Sequence, residues 1–600
     1  MKSMKKTVRV LVYGLLIATL FVGCGNKKGV QSNEEKANTS QDSAEKSQGN
    51  GENVSENSET VNTGEIEIRE ITELTWEDKA VITLGETVEI QGSGAAALEN
   101  VISISEGGSY EITGTLVDGM IYVETEEAVK LVLNNASITS TTGPAIYGYN
   151  SEELWIELAE GTENYLEDGA EYASVYVDAT ETTTVEETTE EATTETTTDE
   201  TVEDAGKGTI FSNDDIIFTG KGTLKLTGNY KHGICSDDIV YFQDGIINIT
   251  TKTDGVHVND AVVINGGTIQ VANANDGMES EGLLVINGGS YTANVADDGL
   301  TAAADVTIND GKIKITSCVE GVESKSNMVI NGGNIEITGT DDGFNSTSLI
   351  QINGGTIYAD IAKGDALDSN GSMEINGGII VALGGNAPEG GADCDGNSFA
   401  INGGVLIATG SVNSAPTESS CTQAAVLLGS AQDGTAVGIK DAEGNTVFAF
   451  QVSKAYENLL LSGEFLVENG SYTVYTGGTI QGTETACGYY ANAEYEGGTE
   501  SVTFTIDGMV VSAGGTAGMM GGMQGGGKGG MFGGGNRGEM PEGMEPPEGM
   551  ELPEGVEMPE GMEPPEGMEP PQRGQMPEES QNSNENQEKE NVLEGTGNII

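Results

Sequence analysis

Acidic residues recur at a fixed interval in the middle of the chain, and most are followed by glycine. Successive members stand about 22 residues apart, a period within the range of solenoid repeats. They are Asp254, Asp276, Asp298, Glu320 and Asp342, and Asp365 continues the series one residue late. Asp297 and Asp341 double the series at two places, and Asp368 follows three residues behind Asp365. Carboxylate oxygens are the ligands that Ca²⁺ prefers. The spacing therefore predicts a column of calcium ligands.

Calcium fits such a column if each period makes one turn of a β-solenoid. Stacked strands lie about 4.8 Å apart, and Ca²⁺–oxygen bonds are about 2.3–2.6 Å long. An ion between two stacked carboxylates would relieve their repulsion without distortion, and little basic charge stands nearby to compete for them. The strongest predicted ligands are Asp297, Asp298, Glu320, Asp341 and Asp342, and the further ones are Asp254, Asp276, Asp365 and Asp368. The alternative interpretation is that Asp-Gly is simply a favourable turn dipeptide.

A second column of the same period consists of asparagine. The motif Ile-Asn-Gly-Gly, once Ile-Asn-Asp-Gly, places this residue at Asn265, Asn287, Asn309, Asn331, Asn353, Asn376 and Asn402. We expect these side-chain amides to stack as a structural ladder, and the following glycine to supply the positive φ of the turn. A fixed period of this length is typical of solenoids.

Each repeat contains three places where apolar and polar residues alternate. In the repeat 254–275 they lie at 256–258, 262–264 and 269–271, separated by turn-forming residues. Alternation with a period of two predicts short strands. Three strands and three turns in each repeat predict one coil of a parallel β-helix, so the fold class is all-β.

The composition divides the chain into ordered and low-complexity segments. We predict a parallel β-helix over 63–410 with a Thr/Glu-rich insert at 178–205, followed by a β-rich C-terminal cap over 411–512. Residues 513–600, rich in Gly and Met and then in Pro-Glu-Gly-Met repeats, predict a disordered tail.

The N-terminus carries the pattern of a secretory signal. Basic residues precede a short apolar run that ends at Gly23-Cys24, which is typical of a bacterial lipobox, although Phe21 departs from the usual leucine. We predict a lipoprotein signal peptide over 1–24, lipidation of Cys24, a disordered tether over 25–62 and an extracytoplasmic, membrane-anchored location at the cell surface. The alternative is an ordinary signal peptide with an incidental cysteine.

The charge balance excludes one class of partner. The net charge is −70, which argues against a nucleic-acid partner. The odd number of cysteines that remain beyond Cys24 does not indicate a disulfide framework.

Several motifs together resemble a known family. They are the lipobox, Gly-Ser-Tyr-Glu-Ile-Thr-Gly-Thr-Leu at 108–116, Gly-Thr-Glu-Asn at 161–164, Phe-Ser-Asn-Asp-Asp at 211–215 and the Asn-Gly-Gly and Asp-Asp-Gly repeats. The chain resembles bacterial carbohydrate-binding β-helix lipoproteins, a family associated with cellulose and polygalacturonate. The resemblance implies a right-handed, pectate-lyase-like β-helix that binds Ca²⁺ through its coil-turn acids.

Three functions remain open at this point. The first is a non-catalytic, surface-anchored protein that binds a pectin-like or cellulosic polysaccharide through Ca²⁺, with Tyr241, Tyr291, Phe344 and Tyr358 as sugar-stacking residues. The second is a calcium-dependent polysaccharide lyase, and the third is a structural stalk or adhesin.

A lyase of this fold would use a basic residue, and Lys363 is the best candidate, followed by Lys325. We expect no catalysis, because the region 208–410 has no arginine. The predicted coils also place His232 and His257 in unlike positions that form no dyad.

Overall fold

The computed structural model describes residues 66–172, 206–396, 398–515 and 517–518. This part is nearly all β and contains a solenoid of about 12 turns with a spacing of about 22 residues, as the sequence predicts. The predicted signal peptide, Cys24, the tether, the Thr/Glu-rich insert and nearly all of the C-terminal tail lie outside the described residues. No helix among the described residues is long and apolar enough to cross a membrane.

Each regular coil contributes one strand to each of three parallel stacks, here called sheets 1, 2 and 3. In the coil that begins at Asp254 these strands are Val256–Val258, Ala261–Ile264 and Thr268–Ala274. They lie at the three places where the sequence alternates. Val256 faces Met278, the residue one period later in the next coil, so the sequence period sets the register.

The strands of each sheet follow one another in chain order. Sheet 1 comprises Val101–Ile104, Met120–Glu124, Ile146–Asn150, Gly208–Ser212, His232–Ser236, Val256–Val258, Met278–Ser280, Leu300–Ala302, Val322–Ser324, Phe344–Ser346, Asp368–Ser369 and Asp393–Cys394. Sheet 2 comprises Leu154–Leu158, Ile216–Gly220, Ile239–Phe242, Ala261–Ile264, Leu283–Ile286, Val306–Ile308, Asn327–Ile330, Leu349–Ile352, Ser372–Ile375 and Phe399–Ile401. Sheet 3 comprises Glu163–Glu167, Thr223–Gly228, Ile246–Thr251, Thr268–Ala274, Ser290–Val295, Lys312–Ile315, Asn334–Gly339, Thr356–Ile361, Ile379–Leu383 and Val405–Gly410.

The N-terminal coils are less regular. Val129–Thr139 is a single strand that runs through both sheet 2 and sheet 3, and Gly108–Val117 stacks on its whole length. Asp78–Leu84 adds the outermost parallel strand, and Glu89–Gly92 pairs with it in the antiparallel sense. Ala95–Leu98 likewise closes sheet 1 with an antiparallel pairing. These pairings cover the strand edges that an open solenoid end would expose.

The interior of the solenoid is a continuous stack of aliphatic side chains. Equivalent residues of successive coils are at most 1% exposed, as at Ile264, Ile286, Ile308, Ile330 and Ile352. Each such side chain stabilises the fold by about 1.5–3 kcal/mol relative to an exposed one. Because every coil repeats this burial, the interior positions the turns that carry the acids.

The segment from Ile66 to Trp76, here called the strap, crosses the outer face of sheet 2. Its apolar side chains pack on Trp155, Tyr241 and neighbouring outward-facing residues of that sheet. The guanidinium of Arg69 lies 2.6 Å from a carboxylate oxygen of Glu153. The strap therefore covers an apolar surface that would otherwise face solvent.

The parallel order ends where Asn458–Ser462 pairs antiparallel with Val405–Gly410. Beyond the last coils the chain forms the short 3₁₀ helix Glu418–Ser420 and the strands Asn413–Ser414, Ala425–Leu428, Ala436–Asp441, Thr446–Gln451, Asn458–Ser462, Ser471–Thr476, Thr479–Gln481, Tyr489–Tyr490, Glu494–Glu496, Thr499–Thr505, Val510–Ala513 and Ala517–Gly518. A five-stranded antiparallel sheet dominates this C-terminal region, and its own apolar cluster packs on the outer face of the last sheet 3 strands. The five described cysteines are free.

The asparagine column forms the predicted ladder at the turn between sheets 2 and 3. Each amide donates to the carbonyl oxygen of the preceding member over 2.7–2.9 Å, from Asn287 through Asn402. The positive φ falls on the second glycine of the motif, such as Gly289, not on the residue directly after asparagine. This explains why Asp310 can replace the first glycine of one coil.

Candidate metal centre on the edge of sheet 1

All the predicted acids except Asp368 lie in the turn that enters sheet 1, and Asp368 lies in a strand of that sheet. Where glycine follows a repeating acid, its N–H donates to the backbone carbonyl oxygen of the repeating acid one coil later, as Gly299 does to Glu320. These bonds stack what we call the turn column: His232, Asp254, Asp276, Asp298, Glu320, Asp342 and Asp365. The backbone therefore fixes the acids at the spacing of adjacent strands.

A second column runs parallel to the first, three residues later in each coil. It is the central, outward-facing residue of each sheet 1 strand, and we call it the strand column. Its members are Cys235, His257, Glu279, Thr301, Glu323, Asn345, Asp368 and Asp393. Both columns point to the same edge of the solenoid, because ligand atoms of the two lie within 4.8 Å of one another.

The two columns bring side chains together in triplets. Each triplet joins two successive members of the turn column to one member of the strand column. In three of them the ligand atoms all lie within 4.8 Å of one another. These triplets are His232–Asp254–His257, Asp254–Asp276–Glu279 and Asp298–Glu320–Glu323. The sequence places Glu279 and Glu323 three residues beyond members of the turn column, but neither is among the predicted ligands.

Burial and mutual repulsion make several acids of the columns hard to ionise, among them Asp276, Asp298, Glu320 and Asp368. Burial, together with the charges of neighbouring acids, raises the pKa of Asp276 and Glu320 to about 7 and that of Asp298 to about 6. The same causes raise the pKa of Asp368 to about 8. At neutral pH a cation that binds between these carboxyls would therefore stabilise their ionised form.

Hydrogen bonds orient several of these carboxylates. The backbone N–H of Asp298 donates to Asp276 Oδ1 over 2.8 Å, and that of Asp365 donates to Asp342 Oδ1 over the same distance. The amide of Asn345 donates to Glu320 Oε2 over 3.2 Å. At Asp342 and Glu320 the bond engages one carboxylate oxygen and leaves the other for a further ligand, as a calcium shell requires. At Asp276 the other oxygen accepts a hydrogen bond from the amide of Asn275 over 3.1 Å.

A basic side chain reaches the columns at one coil. Lys325 forms an ion pair with Glu323, and its own side chain is 56% exposed whereas that of Glu323 is 10% exposed. The expectation that little basic charge competes for these acids is therefore wrong at Glu323. Lys363, the first candidate base of a lyase, is exposed beside the turn column.

The histidines overturn another expectation. His232 occupies the turn column and His257 the strand column, so the two rings meet and stack with their centroids 4.3 Å apart. Their Nδ1 atoms lie 2.8 Å and 3.3 Å from the same oxygen, Oδ2 of Asp254. The prediction that they form no dyad is wrong. His232 stacks on Asp254, which lies one period later in the turn column, and His257 lies three residues beyond Asp254 in the strand column, so both rings reach the same carboxylate.

Two of the predicted ligands stand apart from the triplets. Asp297 and Asp341 are exposed and directly precede members of the turn column. Their backbone groups bond to neighbouring turns, as Val319 N–H does to the carbonyl oxygen of Asp297. Their role as ligands stays a prediction.

The predicted sugar-stacking residues are mostly inaccessible. Tyr291 and Phe344 align with interior residues of neighbouring coils and are at most 1% exposed. Tyr241 faces outward, but the strap covers it completely. Tyr358 is partly buried against the C-terminal region. The proposed stacking role is therefore wrong for Tyr241, Tyr291 and Phe344.

A different aromatic surface, which sequence reasoning missed, continues the strand column toward the N-terminus. Tyr122, Tyr147 and Phe211 occupy the same register as Cys235 and His257. Tyr149 adds a ring that is 46% exposed and stacks on Tyr122 with a centroid distance of 5.8 Å. The register of sheet 1, once known, reveals this cluster, which we call the aromatic platform.

Comparison with known proteins supports a role in carbohydrate binding for relatives of this chain. Residues 98–365 match the model of a family described as carbohydrate-binding domain-containing protein. A protein of Acetivibrio thermocellus with that description is 29% identical over 161 residues, which are 26% of this chain and 47% of the relative. The match thus spans about half the length of that relative.

A solved structure is also similar. It is described as the polysaccharide lyase-like protein from C. thermocellum in a gadolinium derivative, and it shares 25% sequence identity with this chain. The alignment covers 43% of this chain and 93% of the other, with a TM-score of 0.33. The resemblance to carbohydrate-binding β-helix proteins that the sequence indicates is confirmed by the family match.

Proposed function

We propose that this protein is a non-catalytic, surface-anchored polysaccharide-binding protein that holds Ca²⁺ on the edge of sheet 1. The observation that carries the proposal is the repetition of acid triplets along that edge, with ligand atoms within 4.8 Å of one another. Six to eight oxygens surround Ca²⁺ in proteins. Asp298, Glu320 and Glu323 provide three carboxylates, which leaves room for oxygens from a ligand.

The open part of the shell supports binding of an anionic polysaccharide. The uronate carboxylates of a pectin-like polymer would be repelled by the bare acidic edge. Bound Ca²⁺ reverses the local sign of charge and bridges carboxylates from both partners. A polymer that follows the turn column would meet one such position per coil wherever a triplet is complete.

The aromatic platform supports contact with the sugar rings themselves. Aromatic faces provide large apolar contact surfaces next to polar groups, and the ring of Tyr149 is exposed for such a contact. Tyr122 holds that ring from behind through stacking. Since the platform and the acid columns share sheet 1, one chain of sugars could contact both.

A lyase on the same edge is the second candidate. It would need a base beside bound Ca²⁺, and the exposed Lys363, two residues before Asp365, is the residue to test. The second candidate base, Lys325, is already paired with Glu323. Anchoring through Cys24 belongs to the proposed surface location, and a structural stalk or adhesin is the third candidate function.

The calcium step is tested by thermal unfolding of the whole chain with and without millimolar Ca²⁺. We expect Ca²⁺ to raise Tm, because a ligand at 100 times its Kd stabilises the folded state by about 2.7 kcal/mol per site. The double variant Asp298→Asn with Asp342→Asn should lose most of the shift. The comparison variant, Asp297→Asn with Asp341→Asn, removes the same charge from exposed neighbours. A retained shift would confine the ligands to the turn column, and a lost shift would confirm Asp297 and Asp341 as ligands.

The glycan step is tested by sedimentation with insoluble polygalacturonate and with cellulose. We expect polygalacturonate to retain the protein in Ca²⁺ and to release it in a chelator. Tyr149→Ala should weaken retention on both polymers without changing the calcium-induced rise in Tm. Retention by neither polymer in saturating Ca²⁺ would leave the stalk as the function, and release of unsaturated uronate products that Lys363→Met abolishes would establish the lyase.

A further inference from the structure

The first triplet differs from the others in its donor atoms. His232, Asp254 and His257 present two imidazole nitrogens and a carboxylate, whereas the later triplets present oxygen alone. Glu279 closes the group from the next coil, with its Oε2 atom 3.0 Å from His257 Nδ1. The four side chains thus occupy the same pair of columns as the acid triplets, at the end nearest the aromatic platform.

The geometry converges on a single point. Nδ1 of His232 and Nδ1 of His257 both approach Asp254 Oδ2, and Nδ1 of His257 also approaches Glu279. These separations are 2.8–3.3 Å. Tetrahedral ligands at zinc bond lengths of about 2.0–2.1 Å stand about 3.4 Å apart, so small side-chain adjustments would admit an ion. The side chains of His232, Asp254 and His257 are 13%, 7% and 18% exposed.

From this arrangement we propose that His232, Asp254, His257 and Glu279 form a binding site for a divalent transition metal such as Zn²⁺. Imidazole nitrogens suit Zn²⁺, Cu²⁺, Ni²⁺ and Fe²⁺, whereas Ca²⁺ takes oxygen ligands. One solenoid edge therefore sorts two classes of cation by coil. These four side chains take the transition metal, and the oxygen triplet Asp298–Glu320–Glu323, which shares no residue with them, takes the harder ion.

The competing explanation is a purely ionic one. Although burial opposes it, hydrogen bonding to Asp254 and Glu279 raises the pKa of His257 to about 9, so a protonated imidazole would itself neutralise these acids. That explanation accounts for one cation between two carboxylates. The second ring, stacked on the first and aimed at the same oxygen, is the feature that a metal centre explains better.

The test is a titration of the whole, chelator-treated chain with Co²⁺ and Zn²⁺ in the presence of saturating Ca²⁺. We expect one equivalent of Co²⁺ to bind with the visible absorption of a tetrahedral site, and Zn²⁺ to displace it. His257→Gln and His232→Gln should each weaken binding at least about tenfold, as loss of even outer-shell groups does at metal sites. Cys235→Ala, in the strand column one coil earlier, should leave binding unchanged.

Each result decides the proposal. No binding of Co²⁺, equal binding by the parent and both histidine variants, or displacement of Co²⁺ by millimolar Ca²⁺ would overturn it in favour of the ionic explanation. Circular dichroism of each variant distinguishes loss of a ligand from loss of the fold. The calcium-induced rise in Tm is measured separately, so failure of this site leaves the calcium proposal standing or falling on its own result.

Discussion

The asparagine ladder and the turn column are both columns of polar side chains that repeat once per coil, but they differ in how neighbouring members interact. Both place one polar side chain per coil at a fixed register, and both contain about seven members. An amide carries a donor and an acceptor, so each asparagine satisfies the next over 2.7–2.9 Å. A carboxylate is an acceptor only, so stacked acids repel and their pKa values rise with burial.

The difference shows how a solenoid can separate stability from binding. A column that complements itself needs nothing from outside and stabilises the turn it occupies. In a column of like charges the carboxylates repel one another, and cations from solution must bind to relieve the repulsion. The same period therefore produces one edge that stabilises the fold and another edge that can bind cations.

The largest expected effect is that of pH on the acids of the two columns in the absence of divalent cations. The folded pKa values of Glu320, near 7, and Asp368, near 8, lie above the values of about 4 expected in the unfolded chain. The folded state therefore binds more protons than the unfolded state between about pH 4 and pH 8. Stability should be fully present below this window and fall as pH rises through it.

Denaturant unfolding in a chelator at pH 5.5 and pH 8.5 measures this loss, and each unit of raised pKa corresponds to at most about 1.4 kcal/mol. His257 contributes in the same direction, because its folded pKa of about 9 also lies above the unfolded value. Saturating Ca²⁺ should flatten the profile. Stability that stays constant or increases toward pH 8.5 without cations would contradict the raised pKa values.

The next effect concerns the turn that carries the asparagine ladder. Gly289 has a φ of 77°, and a Cβ there would lie 2.8 Å from the backbone carbon of Gly266. Gly289→Ala should cost about 2–4 kcal/mol through left-handed strain and overpacking. The adjacent Gly288→Ala, whose Cβ would lie 3.2 Å from an oxygen of Asn265, should cost under about 1 kcal/mol. Equal losses in denaturant unfolding would refute this division of roles.

A smaller effect should follow from placing an acid within the asparagine ladder. Asn331→Asp removes the donor to Asn309 Oδ1 and leaves the bond accepted from Asn353. We expect a loss of about 0.5–1.5 kcal/mol, the usual net contribution of a hydrogen bond, because water can replace the lost partner at this exposed position. The loss should shrink at acidic pH as the new carboxyl becomes protonated. Asn334→Asp, at an exposed position of sheet 3, adds the same charge and should leave the melting temperature nearly unchanged.

The smallest expected effect is that of the lysine beside the acid columns. Lys325→Ala should increase calcium affinity, because it frees Glu323 from its ion pair. The increase should not exceed about fivefold, since exposed ion pairs contribute about 0.2–1 kcal/mol. Isothermal titration measures it, with Lys314→Ala, which breaks a pair with Glu336 on sheet 3, as the control. A loss of affinity would mean that Lys325 positions Glu323 for the metal.

The sequence predicts whatever depends on the period alone. The asparagine ladder and the turn column follow from counting in steps of one period, and the three strands of each coil follow from the alternation of apolar and polar residues within it. The same counting places His232 and Asp254 in one column, although neither histidine resembles a catalytic motif. The three-residue offset that separates Asp365 from Asp368 also leads to Glu279 and Glu323 in the sequence.

Other features depend on contacts that the period does not contain. Tyr291 is not such a case: it points inward in register with Ile313, and the alternation of apolar and polar residues in its strand already indicates this direction. Tyr241 faces outward by the same rule, yet it is covered by the strap, whose Arg69 lies far earlier in the chain. Such long-range coverage leaves no local signal, so the accessible aromatic residues could not be chosen correctly from the sequence.

The strap also determines where tension would enter the molecule. Ile66 lies beside Gly282, several coils into the solenoid, and the strap then runs back past Tyr241 to Trp155 before the first coil begins. A pull on the chain ahead of Ile66 would therefore load the side of the solenoid, away from its N-terminal end. The contacts between the strap and sheet 2 would break one after another, and they would absorb mechanical work before any coil unfolds.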